Sequence, residues 1–181
     1  MYHIKRDKRS EASARLICAG LLDCLREMDF DEISISELQR RSGVSRSTFY
    51  RNFDRIEDVL SLLCDQGFQS CFQDRAEDTP VHLAVFRYWY RTGFLLEAII
   101  RAGRTDLFLD SFRRCLEENS SLARFFPEDG LDYFVSTVSY VMVGTLVTWV
   151  RRGRKESEQQ LMAALASAFS AVNAFGILST A

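Results

Sequence analysis

The stretch that decides the fold is Ser34-Ile35-Ser36-Glu37-Leu38-Gln39-Arg40-Arg41-Ser42-Gly43-Val44-Ser45-Arg46-Ser47-Thr48-Phe49-Tyr50-Arg51-Asn52-Phe53. It reads as two short helices around a turn. Ser34 stands three residues before Glu37, the spacing of a capping box, and opens the first helix. Ile35 and Leu38 face inward. Gly43 closes that helix, since glycine takes up the left-handed geometry of a helix end at no steric cost. Ser45 caps the second helix, whose buried side is Phe49 and Phe53 at i, i+4. Its other positions pair as Arg46 with Tyr50, Ser47 with Arg51 and Thr48 with Asn52. Such a donor-rich face suits a DNA major groove about 12 Å wide.

The expected roles follow from side-chain chemistry. Arginine can hold guanine O6 and N7 with two hydrogen bonds, so Arg46 is the expected base reader. Ser45, Ser47, Thr48 and Tyr50 suit phosphate oxygens, while Arg51 and Asn52 suit phosphate or bases. Ser34 and Arg55 complete the expected set. The plain alternative is a solvated helix face.

Charge around this stretch supports a polyanion partner. The 181 residues carry a net charge of -2, but residues 1–56 hold 11 Lys/Arg against 9 Asp/Glu and the rest hold 12 against 16. Between Gln39 and Arg55 there are five arginines and one acid, Asp54. Two prolines and nine glycines leave few breaks, so the chain is expected to be all-α.

Further outward, Ile17, Leu21, Cys24, Leu25 and Met28 mark an amphipathic helix ending near a left-handed Asp29. A fourth helix starts near Glu57, with Leu60, Leu63, Cys64, Gly67, Phe68 and Cys71 on one side. Thr79-Pro80 opens a helix expected to run to Gly103. Helices follow at about Thr105–Glu118, from Pro127 to Arg152, and at about Ser157–Phe175, with Gly153 as a break. The expected division is a three-helix DNA-binding unit, residues 1–56, and a helical ligand- or partner-binding and dimerising bundle, residues 57–181.

In that second part Phe86, Trp89, Tyr90, Phe94, Phe112 and Tyr133 are candidates for lining an effector pocket, with ordinary core as the alternative. Tyr133–Val150 and Gln159–Ala181 carry no charge. A membrane span is one reading, and the basic run after Val150 fits it. Five hydroxyl residues in the first stretch and the Ala/Ser-rich second stretch favour helices buried in a bundle or dimer. Gly144, Thr148, Leu161, Ala164, Leu165, Ala168, Ala171 and Val172 are the expected dimer surface, since small residues let helices approach closely.

Cys18, Cys24, Cys64, Cys71 and Cys115 form no C-x-x-C pair, and His3 and His82 cannot build a zinc cluster with them. Free thiols on apolar helix faces suit a reducing cytoplasm, with a redox-sensing cysteine as the minority reading. No G-x-S-x-G, G-x-x-x-x-G-K-[ST], H-E-x-x-H or G-x-G-x-x-G run occurs, so an enzyme is not expected, nor a cofactor or metal.

Gly43 to Phe53 resembles the recognition-helix signature of the tetracycline-repressor (TetR) family of bacterial transcription regulators. Phe30 and Ile35-Ser36-Glu37-Leu38 are similar to that family's first two helices. Trp149-Val150-Arg151-Arg152-Gly153, with Glu156-Ser157, resembles the C-terminal region of a Firmicutes-type branch. The resemblance implies a cytoplasmic homodimer that binds a palindromic operator in double-stranded DNA. It also implies that the last two long helices form a four-helix bundle, and that repression is modulated through the C-terminal domain by a small molecule or a protein. Some members of the branch act as co-activators, so a protein-binding co-regulator that leaves DNA alone is the competing expectation. The chain carries Ile56 where the family usually has a phosphate-contacting Lys, which leaves that contact to Arg55. Ser47 stands for a common Gly and Gln39 for a common Ala.

Overall fold

The computed structural model describes residues 2–73, 75–76, 79, 81–118 and 130–174. Among these the chain is all-α: α1 (Lys8–Glu27), a 3₁₀ turn (Phe30–Glu32), α2 (Ile35–Ser42), α3 (Arg46–Asn52), α4 (Ile56–Gln73), α5 (Val81–Arg91), α6 (Gly93–Arg101), α7 (Thr105–Glu117), α8 (Gly130–Arg151) and α9 (Glu158–Ala174). Pro80, Phe125, Phe126 and Pro127 lie outside the described residues.

The head is α1 to α3. Asp7 caps α1, accepting the backbone N–H groups of Arg9 and Ser10, which satisfies two of the four donors a helix start leaves open. Ile17, Leu21 and Cys24 are fully buried. Asp29 is not left-handed as the sequence suggests. It is extended, with φ -71°, and opens the 3₁₀ turn, its N–H donating to the Glu32 carboxylate. Ser34 accepts from Glu37 N–H, and Gly43 ends α2 at φ 68°. Gly20 brings α1 onto α2, since a Cβ there would lie 3.0 Å from Ser42.

Helix α4 joins head to body. Phe68 is fully buried, with ring centroids 5.1 Å from Trp89, 4.9 Å from Phe108 and 4.8 Å from Phe112. A Cβ on Gly67 would lie 2.8 Å from the Trp89 ring, so glycine lets α5 close on α4. Burial pushes the Cys18 thiol up to about 12 and also raises Cys64. These thiols stay protonated, which speaks against redox sensing there.

The single helix expected up to Gly103 is two. Thr92 Oγ1 donates back to the Tyr88 carbonyl, and its ψ of 29° leaves the helix. Gly93 then admits Arg154, since a Cβ would sit 2.5 Å from Nη1; Arg154 pairs with Glu97 at 3.0 Å. Helix α8 is long and apolar enough to cross a bilayer by length and composition. It has two faces: Val135, Ser139, Met142, Leu146 and Trp149 are buried, while Tyr133, Thr137, Tyr140, Gly144 and Thr148 are exposed.

Candidate nucleic-acid interface

Ser45 caps α3 by accepting Thr48 N–H. Phe49 and Phe53 sink into the head with 1% and 0% exposure, and their rings pack at 5.7 Å. That anchoring leaves Ser45, Arg46, Ser47, Tyr50 and Arg51 exposed on the far side and Thr48 half-exposed. Arg46 lies over the Tyr50 ring, 5.7 Å from its centroid. Arg51 Nη2 donates to Thr48 Oγ1, and Ser45 Oγ donates to the same oxygen. The row is therefore pre-ordered by local contacts without losing its positive charge. Ser34 is exposed, its oxygen engaged in capping α2. Arg55 is exposed just ahead of α4, and Ile56, half-buried, packs on the core.

Asn52 corrects the sequence reading. It is fully buried. Its Oδ1 accepts from Ser10 Oγ, and its Nδ2 donates to the Thr48 carbonyl at 2.8 Å. Both ends of the amide are used inside the protein, so it ties α3 to α1 and does not reach DNA. The count of five arginines also needs correction. Arg40 and Arg41 pair with Glu37, and Arg41 with Glu27. Their hydrogen bonds to Glu37 hold its carboxyl at about 2. The free cations at α3 are Arg46, Arg51 and Arg55.

Sequence reasoning missed the strap before α1. Tyr2 forms an antiparallel bridge with Phe53, and His3 N–H donates to the Asn52 carbonyl at 2.9 Å. Lys5 N–H donates to Ser10 Oγ. Tyr2 Oη donates to Asp65 Oδ2 at 2.6 Å, and Arg114 of α7 donates to Asp65 Oδ1 at 2.8 Å. Burial, then the bond to Asp65, pushes the Tyr2 phenol well above its ordinary range. The sequence shows the basic run at 5–9 but carries no local sign of this pinning.

No protein-family model matches the chain. It is 24% identical over 70 residues to the HTH-type dhaKLM operon transcriptional activator DhaS of Lactococcus lactis, covering 39% of this chain and 37% of that one. It is 29% identical over 108 residues to the HTH-type transcriptional regulator AlkX of Mycobacterium tuberculosis, covering 43% and 51%. The chain thus spans between about a third and about half the length of these curated relatives. Among solved structures it is similar to Lin0861 from Listeria innocua, with TM-score 0.78, 16% identity and coverage of 94% and 96%. It is also similar to a TetR transcriptional regulator from Streptococcus agalactiae, with TM-score 0.61, 20% identity and coverage of 90% and 96%. The chain has the TetR fold.

In the body of this TetR-fold chain, the aromatic candidates scatter. Phe86 and Trp89 are fully buried core, filled by neighbouring rings. Tyr90 stacks on Trp149 at 5.0 Å, Phe94 packs under Arg26 at 5.1 Å, and Tyr133 is 78% exposed. Only Phe112 of the six also lines the apolar cavity of about 540 Å³ between α4, α5, α7, α8 and α9, with Phe72, Leu116, Phe134, Met142 and Met162. The sequence missed this cavity because its lining is aliphatic and drawn from five helices.

The expected dimer surface is mostly open in the protomer. Gly144, Thr148, Ala164, Ala168 and Ala171 are exposed, and a groove between α8 and α9 runs past Tyr140, Gly144, Thr148, Ala164 and Ala168. Leu161 departs from the expectation, being 6% exposed and part of the protomer's own core. Leu165 is half-buried and shared with the cavity wall. The side chain of Val172 lies outside the described residues.

Proposed function

We propose that this chain is a sequence-specific DNA-binding transcription regulator of the cytoplasm, acting as a homodimer. Residues 1–56 serve as its reading head and residues 57–181 as its dimerising and effector-responsive body. The observation that carries this reading is the row of Arg46, Arg51 and Arg55, exposed and outside any ion pair, on a capped helix anchored by Phe49 and Phe53. Arg46 reads bases; Ser45, Ser47, Tyr50 and Arg55 hold phosphates. The exposed, nearly uncharged faces of α8 and α9 support a two-fold dimer that sets the separation of two recognition helices. A site overlapping a promoter then represses.

Modulation through the body is supported by α7. Its Phe112 and Leu116 line the apolar cavity, while Arg114 reaches Asp65 and, through it, Tyr2. A ligand that binds one packing of α7 more tightly than another shifts the heads by that difference in affinity. The test is selection of bound sequences from random duplex DNA with purified protein. The expected result is enrichment of a two-fold symmetric site; recovery of unenriched sequence at low salt overturns the reading.

A further inference from the structure

We propose that the strap before α1 is a second DNA contact, in which Lys5, Arg6, Lys8 and Arg9 hold the phosphates flanking the bases read by α3. The inference rests on the reading of α3 as a recognition helix and adds a site to it. Three observations place it.

The first is position. The bridge from Tyr2 to Phe53, the bond from His3 N–H to the Asn52 carbonyl and the link from Ser10 Oγ to Asn52 fasten residues 2–10 to the C-terminal end of α3. Tyr2 is held from the other side by Asp65. The cations between these anchors travel with the recognition helix as one body. With α3 in a major groove, the chain beside its end faces the sugar–phosphate wall.

The second is free charge. Lys5, Arg6, Lys8 and Arg9 are all exposed, and among the described residues none of the four forms an ion pair. Arg26, Arg40 and Arg41, the other cations of α1 and α2 apart from Arg15, are paired with Asp23, Glu37 and Glu27. The third is the acid in the run. Asp7 is committed to capping α1, its Oδ1 accepting two backbone N–H groups. The strap therefore presents cations to solvent beside the row of Arg46, Arg51 and Arg55. A duplex, with one phosphate charge per about 1.7 Å of axis, is the partner that fits a sequence-blind cluster adjoining a base-reading helix.

The experiment compares two triple variants in binding to random duplex DNA across a salt series. One is Lys5→Ala/Arg6→Ala/Lys8→Ala. The other, Arg91→Ala/Arg151→Ala/Lys155→Ala, removes as many exposed cations from the body. Each lost phosphate contact lowers the slope of log affinity against log salt by about 0.9. The strap variant should therefore be shallower than wild type by about 2 for the dimer, and the body variant unchanged. Base preference at the selected site should be the same in all three. Lys5→Gln/Arg6→Gln, which leaves α1 intact, should give the same direction of change at lower amplitude. Equal slopes for strap variant and wild type, or an equal drop in the body variant, overturn the strap contact while leaving the α3 reading in place. A wild-type protein that ignores duplex DNA at every salt overturns both.

Discussion

Helices α3 and α9 both carry a face that the protomer does not use, and they differ in what that face is made of. The seven residues of α3 bury Phe49 and Asn52 and expose arginines and hydroxyls. Among described side chains, α9 buries only Leu161 and exposes Ala163, Ala164, Ala166, Ala168 and Ala171. An exposed guanidinium is content in water and waits for an anion. A row of alanines gains only by meeting another helix, at about 25 cal/mol per Å² of apolar surface removed from water. Breaking the second face should have the largest effect. Ala168→Arg places a charge on a surface that is open in the protomer, so the fold should survive. Against its own copy across a two-fold axis the charge is repelled and desolvated. Sedimentation should show a monomer, and operator affinity should fall on the order of 10²–10⁴-fold as the two heads lose their linkage. A dimer with wild-type affinity would take α9 out of the interface.

Two substitutions break the comparison within α3 itself, because its two sides do different work. Asn52→Ala strands the buried Ser10 hydroxyl and the Thr48 carbonyl, so stability should drop by about 1–3 kcal/mol in a urea titration. Base preference should be unchanged. Arg46→Ala removes no contact inside the head beyond its place over Tyr50. Melting should stay put, while specific binding weakens by about 1–3 kcal/mol and one base position relaxes. The opposite pattern, with Asn52→Ala altering base preference in a protein of full stability, would return the amide to the DNA face.

What was legible in the sequence was local. Ser34, Gly43, Ser45, Phe49 and Phe53 act within one or two turns of their own position, and their caps and burial follow from spacing. Asn52 was misread because its partners, Ser10 and the strap, stand some forty residues away. At helical spacing it shares a face with Thr48, whose hydroxyl is half-exposed. Arg41 looked free for the same reason, since Glu27 is 14 residues upstream. The break at Thr92 needed Arg154, which fills the space over Gly93. The cavity needed five helices at once. Function in the head was readable because a recognition helix carries its chemistry on consecutive turns; the body's cavity has no such local address.

The smallest predicted effect sharpens the comparison at its charged end. Glu37 accepts from Arg40 and Arg41, and these bonds hold its carboxyl at about 2, below the ordinary value of 4.5. A carboxylate depressed in the folded state stabilises fully above the unfolded value, and that contribution is lost as pH falls toward 2. Glu37→Gln should therefore leave the urea midpoint less dependent on pH between 6 and 2.5 than in wild type. The difference should shrink in high salt, because the carboxylate lies near solvent. The same variant releases Arg40, whose partner is Glu37, while Arg41 keeps Glu27. One added free cation beside α3 should raise affinity for random duplex DNA and steepen its salt dependence slightly. A variant with both the pH profile and the salt slope of wild type would mean that these pairs neither stabilise α2 nor subtract from the head's positive field, and Arg40 would then join Arg46 among the cations available to DNA.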